Sequence, residues 1–146
     1  MGIDKIRQVR ERLQRLPLET LVGNAVARHT GDIEEFAREQ LLAGRGKDGE
    51  RLTPYASKAY ANKKSFLNPA AGKGNPDLRL TGNFHDSIEA RAYSSYVEIE
   101  ARDFKAKYLT PKYPNAVGLN IFNVIRLQRE FVLPFLRTAI KPLLLP

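Results

Sequence analysis

Few side chains in this sequence could act as catalytic acids, bases or nucleophiles. There are two histidines, His29 and His85, and no cysteine, which excludes a cysteine nucleophile, a disulfide framework and thiolate metal centres. His29 falls on an apolar helical face, where a packed, hydrogen-bonded histidine is the expected role. His85 is followed by Asp86 and Ser87, but adjacent residues on one helical turn point apart, whereas a Ser-His-Asp triad converges from separated positions. We therefore predict a polar helix surface at His85.

Two further patterns resemble chemical motifs without meeting their requirements. Residues 44–49 are glycine-rich and basic, but Lys47 is followed by Asp48 rather than by serine or threonine. This is not a phosphate-binding P-loop, and we predict a surface turn. Glu98 and Glu100 share one face of a predicted strand; paired carboxylates could do acid–base work, although polar residues alternate in this way along any half-exposed strand. We therefore expect a non-enzymatic protein with no metal and no cofactor.

The strongest functional signal is a basic segment interleaved with aromatic residues. Residues 45–79 carry eight basic and three acidic side chains, a net charge of +5 within a total of +8. This composition suits single-stranded nucleic acid, and it suits an acidic protein surface, where charge steers and aromatics anchor. No helix-turn-helix, zinc-finger or RNA-recognition pattern accompanies it, so a protein interface is preferred. The predicted interface residues are Arg45, Lys47, Arg51, Tyr55, Lys58, Tyr60, Lys63, Lys64, Phe66 and Lys73.

The elements that position this segment begin with helices. Apolar residues recur every three or four positions over residues 3–16, which predicts an amphipathic helix that Pro17 interrupts. A second apolar series of helical spacing runs from 18 to 41, as one helix or two nearly collinear ones. The predicted end signals are a capping box of Asp32 with Glu35 and a C-terminal stop at Gly44.

The remainder of the chain changes from loop to strand to helix. Residues 45–79, punctuated by glycine and proline, are predicted to form an extended loop arm with one short helix over about residues 54–65. Alternating apolar residues over 88–102 predict an antiparallel hairpin. The other expectations are a short helix capped by Thr81, an irregular crossing over 105–120, a third strand or a helix start at 121–127, and a short final helix opened by Pro134.

Together these elements predict a single α+β domain over residues 1–146. It would comprise a helical part (1–44), the basic arm (45–79), and a hairpin sheet with a C-terminal helix (80–146). The sequence shows no apolar leader, and its longest apolar run is the three leucines at 143–145. We therefore expect neither a secretion signal nor a membrane span.

Several short motifs occur in a recognisable order. A Leu-Thr-Gly element followed by Ser-Ile, at residues 80–88, precedes the hairpin, and Pro-Phe-Leu-Arg followed by Ala, at residues 134–139, opens the last helix. The motifs lie in residues 41–44, 48–55, 60–64, 76–88 and 133–140. In this order they resemble the small minor tail, tail-completion and virion-morphogenesis proteins of tailed bacteriophages, over roughly residues 35–141. Residues 107–114 depart from the family pattern, which leaves the subgroup open.

This resemblance implies a structural role in the virion. It implies a head–tail connector, neck or tail-completion (minor tail) subunit that assembles as a ring in the bacterial cytoplasm and ends at the head–tail junction or in the tail. The implied partners are further copies of the chain and neighbouring portal, connector or tail proteins, and the charge of +8 is compatible with proximity to packaged DNA. The alternatives are a small basic nucleic-acid-binding module and, less favoured, a small enzyme.

Overall fold

The computed structural model describes residues 2–67, 76–79 and 81–144, and its architecture is mixed α+β. The expected fold class, the N-terminal helices, the hairpin and the C-terminal helix are confirmed. The helices are α1 (Gly2–Gln14), α2 (Leu18–Ala27), α3 (Thr30–Leu42), α4 (Lys58–Leu67), α5 (Asn83–Asp86), α6 (Ala106–Lys112), α7 (Ile121–Leu127) and α8 (Leu133–Leu144), with a π-helical turn (Gln128–Val132) between α7 and α8. The strands are β1 (Ile88–Ala92) and β2 (Val97–Ala101).

Local sequence explains where the N-terminal helices begin and end. Pro17 is the N-cap of α2 and separates it from α1, because proline has no N–H to donate in a helix interior. After α3 the chain turns at Gly44, whose φ is 72°. The Gly44 N–H donates to the Leu41 carbonyl at 2.8 Å and the Arg45 N–H donates to the Gln40 carbonyl at 3.0 Å. This pair of bonds is a Schellman motif, which confirms Gly44 as the stop.

Two predicted helix caps are wrong. Asp32 and Glu35 form no capping box, because α3 begins earlier, at Thr30. Asp32 instead accepts a hydrogen bond from Nδ1 of His29 at 2.8 Å. The N-cap of α5 is Gly82 rather than Thr81, since a left-handed turn with φ of 96° at the glycine delays the start of the helix by one residue.

The hairpin packs one face against the helices. Ile88 pairs with Ala101 at the open end of the antiparallel ladder, and Ala92 pairs with Val97 beside the turn. Ile88 and Ala90 are both buried, because residues two apart on a strand point to the same face. The hairpin is therefore held on the helical layer by one of its two faces.

Side chains of α3 also satisfy the backbone at the β1 edge. Oε1 of Glu34 accepts a hydrogen bond from the Ala90 N–H at 3.0 Å. Arg38 donates from Nε to the His85 carbonyl at 2.9 Å and from Nη2 to the Ile88 carbonyl at 3.0 Å. The edge of a two-stranded sheet would otherwise carry unpaired polar groups against a helix. These bonds thus fix how α3 and the hairpin face each other.

The C-terminal half departs from the sequence-based expectation. Residues 105–120, predicted as an irregular crossing, contain α6, whereas residues 121–127, predicted as a third strand or a helix start, form the helix α7, which confirms the second of these alternatives. The π-helical turn and α8 follow α7 directly, so the final helix is longer than predicted. The Leu133 N–H donates five residues back, to the Gln128 carbonyl. This wider turn precedes Pro134, which has no N–H, and so accommodates it within helical backbone.

The core consists of two clusters that share α3. One cluster joins α3 to the hairpin start and to residues 52, 84, 113 and 116, and the other joins it to α2, β1 and the junction between α7 and α8. The buried Gln40 side chain adds a polar link, since it accepts from the Asn120 N–H at 2.8 Å and donates to the Gly118 carbonyl at 3.1 Å. The first cluster is Ala37, Leu41, Leu52, Phe84, Ile88, Tyr113 and Ala116; the second is Ala25, Ile33, Phe36, Ala90, Leu127 and Val132.

We expect Glu34→Ala to lower the free energy of unfolding by about 1–3 kcal/mol, because it leaves the Ala90 N–H without its acceptor. Urea unfolding followed by circular dichroism measures this change. The matched control is Glu35→Ala, whose side chain is 61% exposed in an ion pair with Arg38 and which should cost at most about 0.5 kcal/mol. Equal losses for the two variants would contradict the assigned role of Glu34.

Candidate functional site

The structure separates the predicted interface residues into distinct groups. Arg45, Lys47, Arg51, Lys58, Tyr60, Lys63 and Phe66 are exposed, and Tyr55 is half-buried. Phe66 is 90% exposed, which is unusual for a phenylalanine. The prediction for Lys64 is wrong, because its side chain is buried and does not present its charge to a partner. Lys73 lies outside the described residues.

The glycine-rich stretch forms the predicted surface turn. Arg45 and Arg51 face each other across an isolated antiparallel bridge, and Nη1 of Arg45 donates to the Gly49 carbonyl at 2.8 Å. The turn is tied to the chain before α7, because the Lys47 N–H donates to the Asn115 carbonyl at 2.7 Å. These hydrogen bonds hold the backbone of the turn in place, and its cationic side chains are exposed.

A buried ion pair connects α4 to residues 76–79. Nζ of Lys64 lies 3.1 Å from Oδ1 of Asp77, and the two side chains are 5% and 2% exposed. Removing two charges from water is costly, so such a pair needs further polar contacts. One of these is the Arg79 N–H, which donates to Oδ1 of Asp77 at 3.0 Å. The pair fixes the position of Asp77 relative to the last turn of α4.

His85 extends this polar group and does not lie on the polar surface that we predicted. Its Nε2 is 2.6 Å from the Asp77 carbonyl, so Nε2 carries the proton and donates. Burial lowers the pKa of His85 below its ordinary value, since desolvation disfavours the charged ring. The prediction failed because the single turn of α5 directs His85 inward, together with the core residue Phe84. The residue is thus a neutral hydrogen-bond donor inside the fold.

The remaining acid and base candidates form surface contacts. Glu100 pairs with Arg102 at 3.1 Å, and Glu98 accepts from the Tyr93 hydroxyl at 3.3 Å. His29 is half-buried, and its ring stacks on Phe131 with centroids 4.4 Å apart. Within residues 2–67, 76–79 and 81–144, no three histidine, aspartate or glutamate side chains are grouped as metal ligands would be.

A cavity of about 400 Å³ opens beside the buried pair. Its apolar lining comes from Tyr55, Leu78, Phe84, Leu109 and Tyr113, contributed by the loop before α4, the segment 76–79, α5 and the chain around α6. Burial raises the pKa of Tyr55 far above its ordinary value, and the nearby Asp77 carboxylate and the Tyr60 and Tyr113 rings add to this rise. We call this feature the α4–α6 cavity.

Four cationic side chains complete the lining of the α4–α6 cavity: Lys64, Arg79, Lys105 and Lys112. Among the predicted interface residues that the structure describes, only Tyr55, Tyr60 and Lys64 take part, and the basic turn at 45–51 does not. Sequence reasoning missed Lys105 and Lys112, which lie outside the basic segment. Lys105 and Lys112 are seven residues apart, with Leu109 between them, and this spacing places all three on one side of a helix. This pattern could have identified the two lysines from the sequence.

Replacing Lys64 tests the buried pair. Lys64→Met leaves the Asp77 carboxylate buried without its cation, so we expect the free energy of unfolding to fall by about 3–5 kcal/mol. Lys63→Met, at the neighbouring exposed position, should change it by at most about 0.5 kcal/mol. Urea denaturation of both variants gives the comparison, and a Lys64→Met protein as stable as Lys63→Met would exclude a structural role for the pair.

Acid should destabilise the fold through His85. Because its folded pKa is lowered, the unfolded chain binds more protons below the unfolded pKa of about 6.5, and stability decreases as the pH falls through that value. Stability curves between about pH 7.5 and pH 5.5 measure the effect. His85→Gln, which keeps an N–H donor, should lose this dependence, whereas His29→Gln should retain it. A His85→Gln protein that keeps the pH dependence of the wild type would contradict the assignment to His85.

Comparisons of the chain with known proteins found no match. No family model matches the chain, no curated protein matches it, and no solved structure matches it. In the part of the chain that the structure describes, no helix combines the length and apolar character needed to cross a membrane. The functional argument therefore depends on the surfaces and cavities of this chain.

Proposed function

We propose that this chain is a structural subunit of a tailed-bacteriophage virion, in the head–tail connector, neck or tail-completion layer, and that it assembles as a ring. Two kinds of observation support the proposal. One is the order of sequence motifs that resembles virion-morphogenesis and minor tail proteins. The other is the apolar surface that a single copy leaves uncovered. The proposed partners are further copies of the chain and adjoining portal, connector or tail proteins.

Helix α1 carries the argument for assembly. It spans 13 residues and buries none of them, although Ile3, Ile6, Val9 and Leu13 form an apolar stripe along one side. Ile3 and Ile6 are 75% and 70% exposed. A helix of this length is marginal on its own, and most helical stability comes from packing an apolar face. A second subunit would supply the missing packing surface.

Other helices present apolar side chains in the same way. Ile121 and Phe122 begin α7, and Phe122 is 73% exposed. Leu133 and Leu143 are exposed on α8, which like α1 has no buried residue among those described and lies beside α1. Monomeric proteins rarely leave extensive apolar surface uncovered, and such surface is characteristic of association sites.

The basic arm contributes the proposed electrostatic part of the assembly. The exposed Lys63 precedes the exposed Phe66 by three residues on α4, an arrangement in which a charge steers a partner and an aromatic residue anchors it. An acidic portal or tail surface would complement this charge, and the same charge would tolerate packaged DNA nearby. The arm also contains Leu52, which belongs to the core, and the buried Asp77. Deleting residues 45–79 would therefore damage the fold, so point substitutions provide the sharper test.

Ile6→Asp should disrupt self-association, because it places a charge on the α1 stripe. Size-exclusion chromatography with light scattering should give a mass above that of one chain for the wild type, and at least roughly tenfold weaker association for Ile6→Asp. Gln8→Asp adds the same charge to the opposite side of α1 and should assemble like the wild type. Circular dichroism checks that all three proteins retain their helices.

Two outcomes would contradict the proposal. A wild-type protein that stays monomeric at every accessible concentration would exclude the ring. Genes of unrelated metabolism beside its own, in place of portal, capsid and tail genes, would exclude the virion role. The nucleic-acid alternative predicts binding to DNA or RNA that weakens steeply with salt.

A further inference from the structure

We propose that the α4–α6 cavity binds an acidic peptide segment of a partner protein, which inserts one apolar side chain into the apolar interior of the cavity. The first argument is charge. Lys64, Arg79, Lys105 and Lys112 line the cavity, and no aspartate or glutamate of the described chain joins them in the lining. A concave surface with one sign of charge concentrates ligands of the opposite sign.

Three of these cations are available to a ligand. Asp77 neutralises Lys64, whereas Arg79, Lys105 and Lys112 form no ion pair with any described side chain. Arg79 and Lys112 are exposed and Lys105 is half-buried. These three cations therefore have no acidic partner among the described side chains and would pair with carboxylates at the mouth of the cavity.

The second argument is the apolar interior. Leu78, Phe84 and Leu109 provide aliphatic and aromatic walls, and Phe84 and Tyr113 are themselves buried. The Lys64–Asp77 pair holds the walls contributed by α4 and residues 76–79 together. A preformed apolar cavity of about 400 Å³ is at the small end of ligand sites and suits an anchoring side chain.

The arrangement of the aromatic rings favours a peptide over single-stranded nucleic acid. Bases bind to such proteins by stacking on open aromatic faces. Here Tyr55 and Tyr60 meet edge to face with centroids 4.9 Å apart, and Tyr113 is buried. Since the rings pack on each other, they line a hole for a side chain and present no series of free faces.

This site is separate from the apolar assembly surface of α1 and α8, although it shares residues of the basic arm, and it goes beyond the proposed assembly. None of the lining residues belongs to α1 or to α8, so Ile6→Asp should bind peptide like the wild type. Loss of self-association and loss of peptide binding can thus be observed independently.

Fluorescence anisotropy with the full chain tests the site. The probe is a labelled peptide in which glutamates and aspartates flank one phenylalanine. We expect saturable binding, weakened roughly tenfold or more by Lys112→Glu. Lys107→Glu is the matched control, because it makes the same charge change on α6 outside the cavity lining, and it should alter the affinity at most about twofold. Arg79→Glu changes a second exposed lining position and should weaken binding to a similar extent. It provides the test if Lys112→Glu unfolds the chain.

Two further probes identify the ligand class. A peptide with serine in place of phenylalanine should bind markedly more weakly. Any affinity of the chain for an oligothymidylate should be unchanged by Lys112→Glu. The proposal is overturned if the acidic peptide shows no saturable binding, if Lys107→Glu weakens it as much as Lys112→Glu, or if the serine peptide binds equally well. Tighter, Lys112-dependent binding of the oligothymidylate would assign the cavity to nucleic acid.

Discussion

The fold depends on how α3 satisfies the edge of the hairpin. A two-stranded sheet is too small to be stable alone, and its outer strand carries unpaired backbone groups. Glu34 and Arg38 provide an acceptor for Ala90 and donors for His85 and Ile88, from one helix face, while apolar residues of the same helix fill both core clusters. Because α3 does both, the other helices can be arranged around it.

The same polar bonding extends from the hairpin to the α4–α6 cavity. Arg38 donates to the His85 carbonyl, and the His85 ring donates to the Asp77 carbonyl. The Asp77 side chain in turn pairs with Lys64. This chain of contacts connects α3 to α4. It fixes the walls of the cavity without contributing net charge, since the lysine and aspartate neutralise each other and the histidine is neutral. The charge that a ligand meets therefore comes from Arg79, Lys105 and Lys112.

Core and surface have different roles in the proposed function. The interior is organised around α3, whereas α1 and α8 present apolar residues that stay exposed in the described chain. An assembly subunit combines a rigid centre with uncovered peripheral elements, because association must bury surface that folding leaves exposed. The basic arm serves both: Leu52 and Asp77 anchor it in the fold, and all of its described cationic side chains except Lys64 are exposed.

The sequence by itself determined the features that depend on near neighbours. Helical spacing, strand alternation, Pro17 and Gly44 located α1–α3 and the hairpin, because periodicity and backbone preference act within a few residues. The basic composition of the arm was also visible. Only the tertiary structure decided that Lys64 and His85 are buried, and that Lys105 and Lys112 line a cavity together with residues of α4. Those outcomes depend on contacts between segments far apart in the chain, where packing and desolvation outweigh the polar character of a single residue.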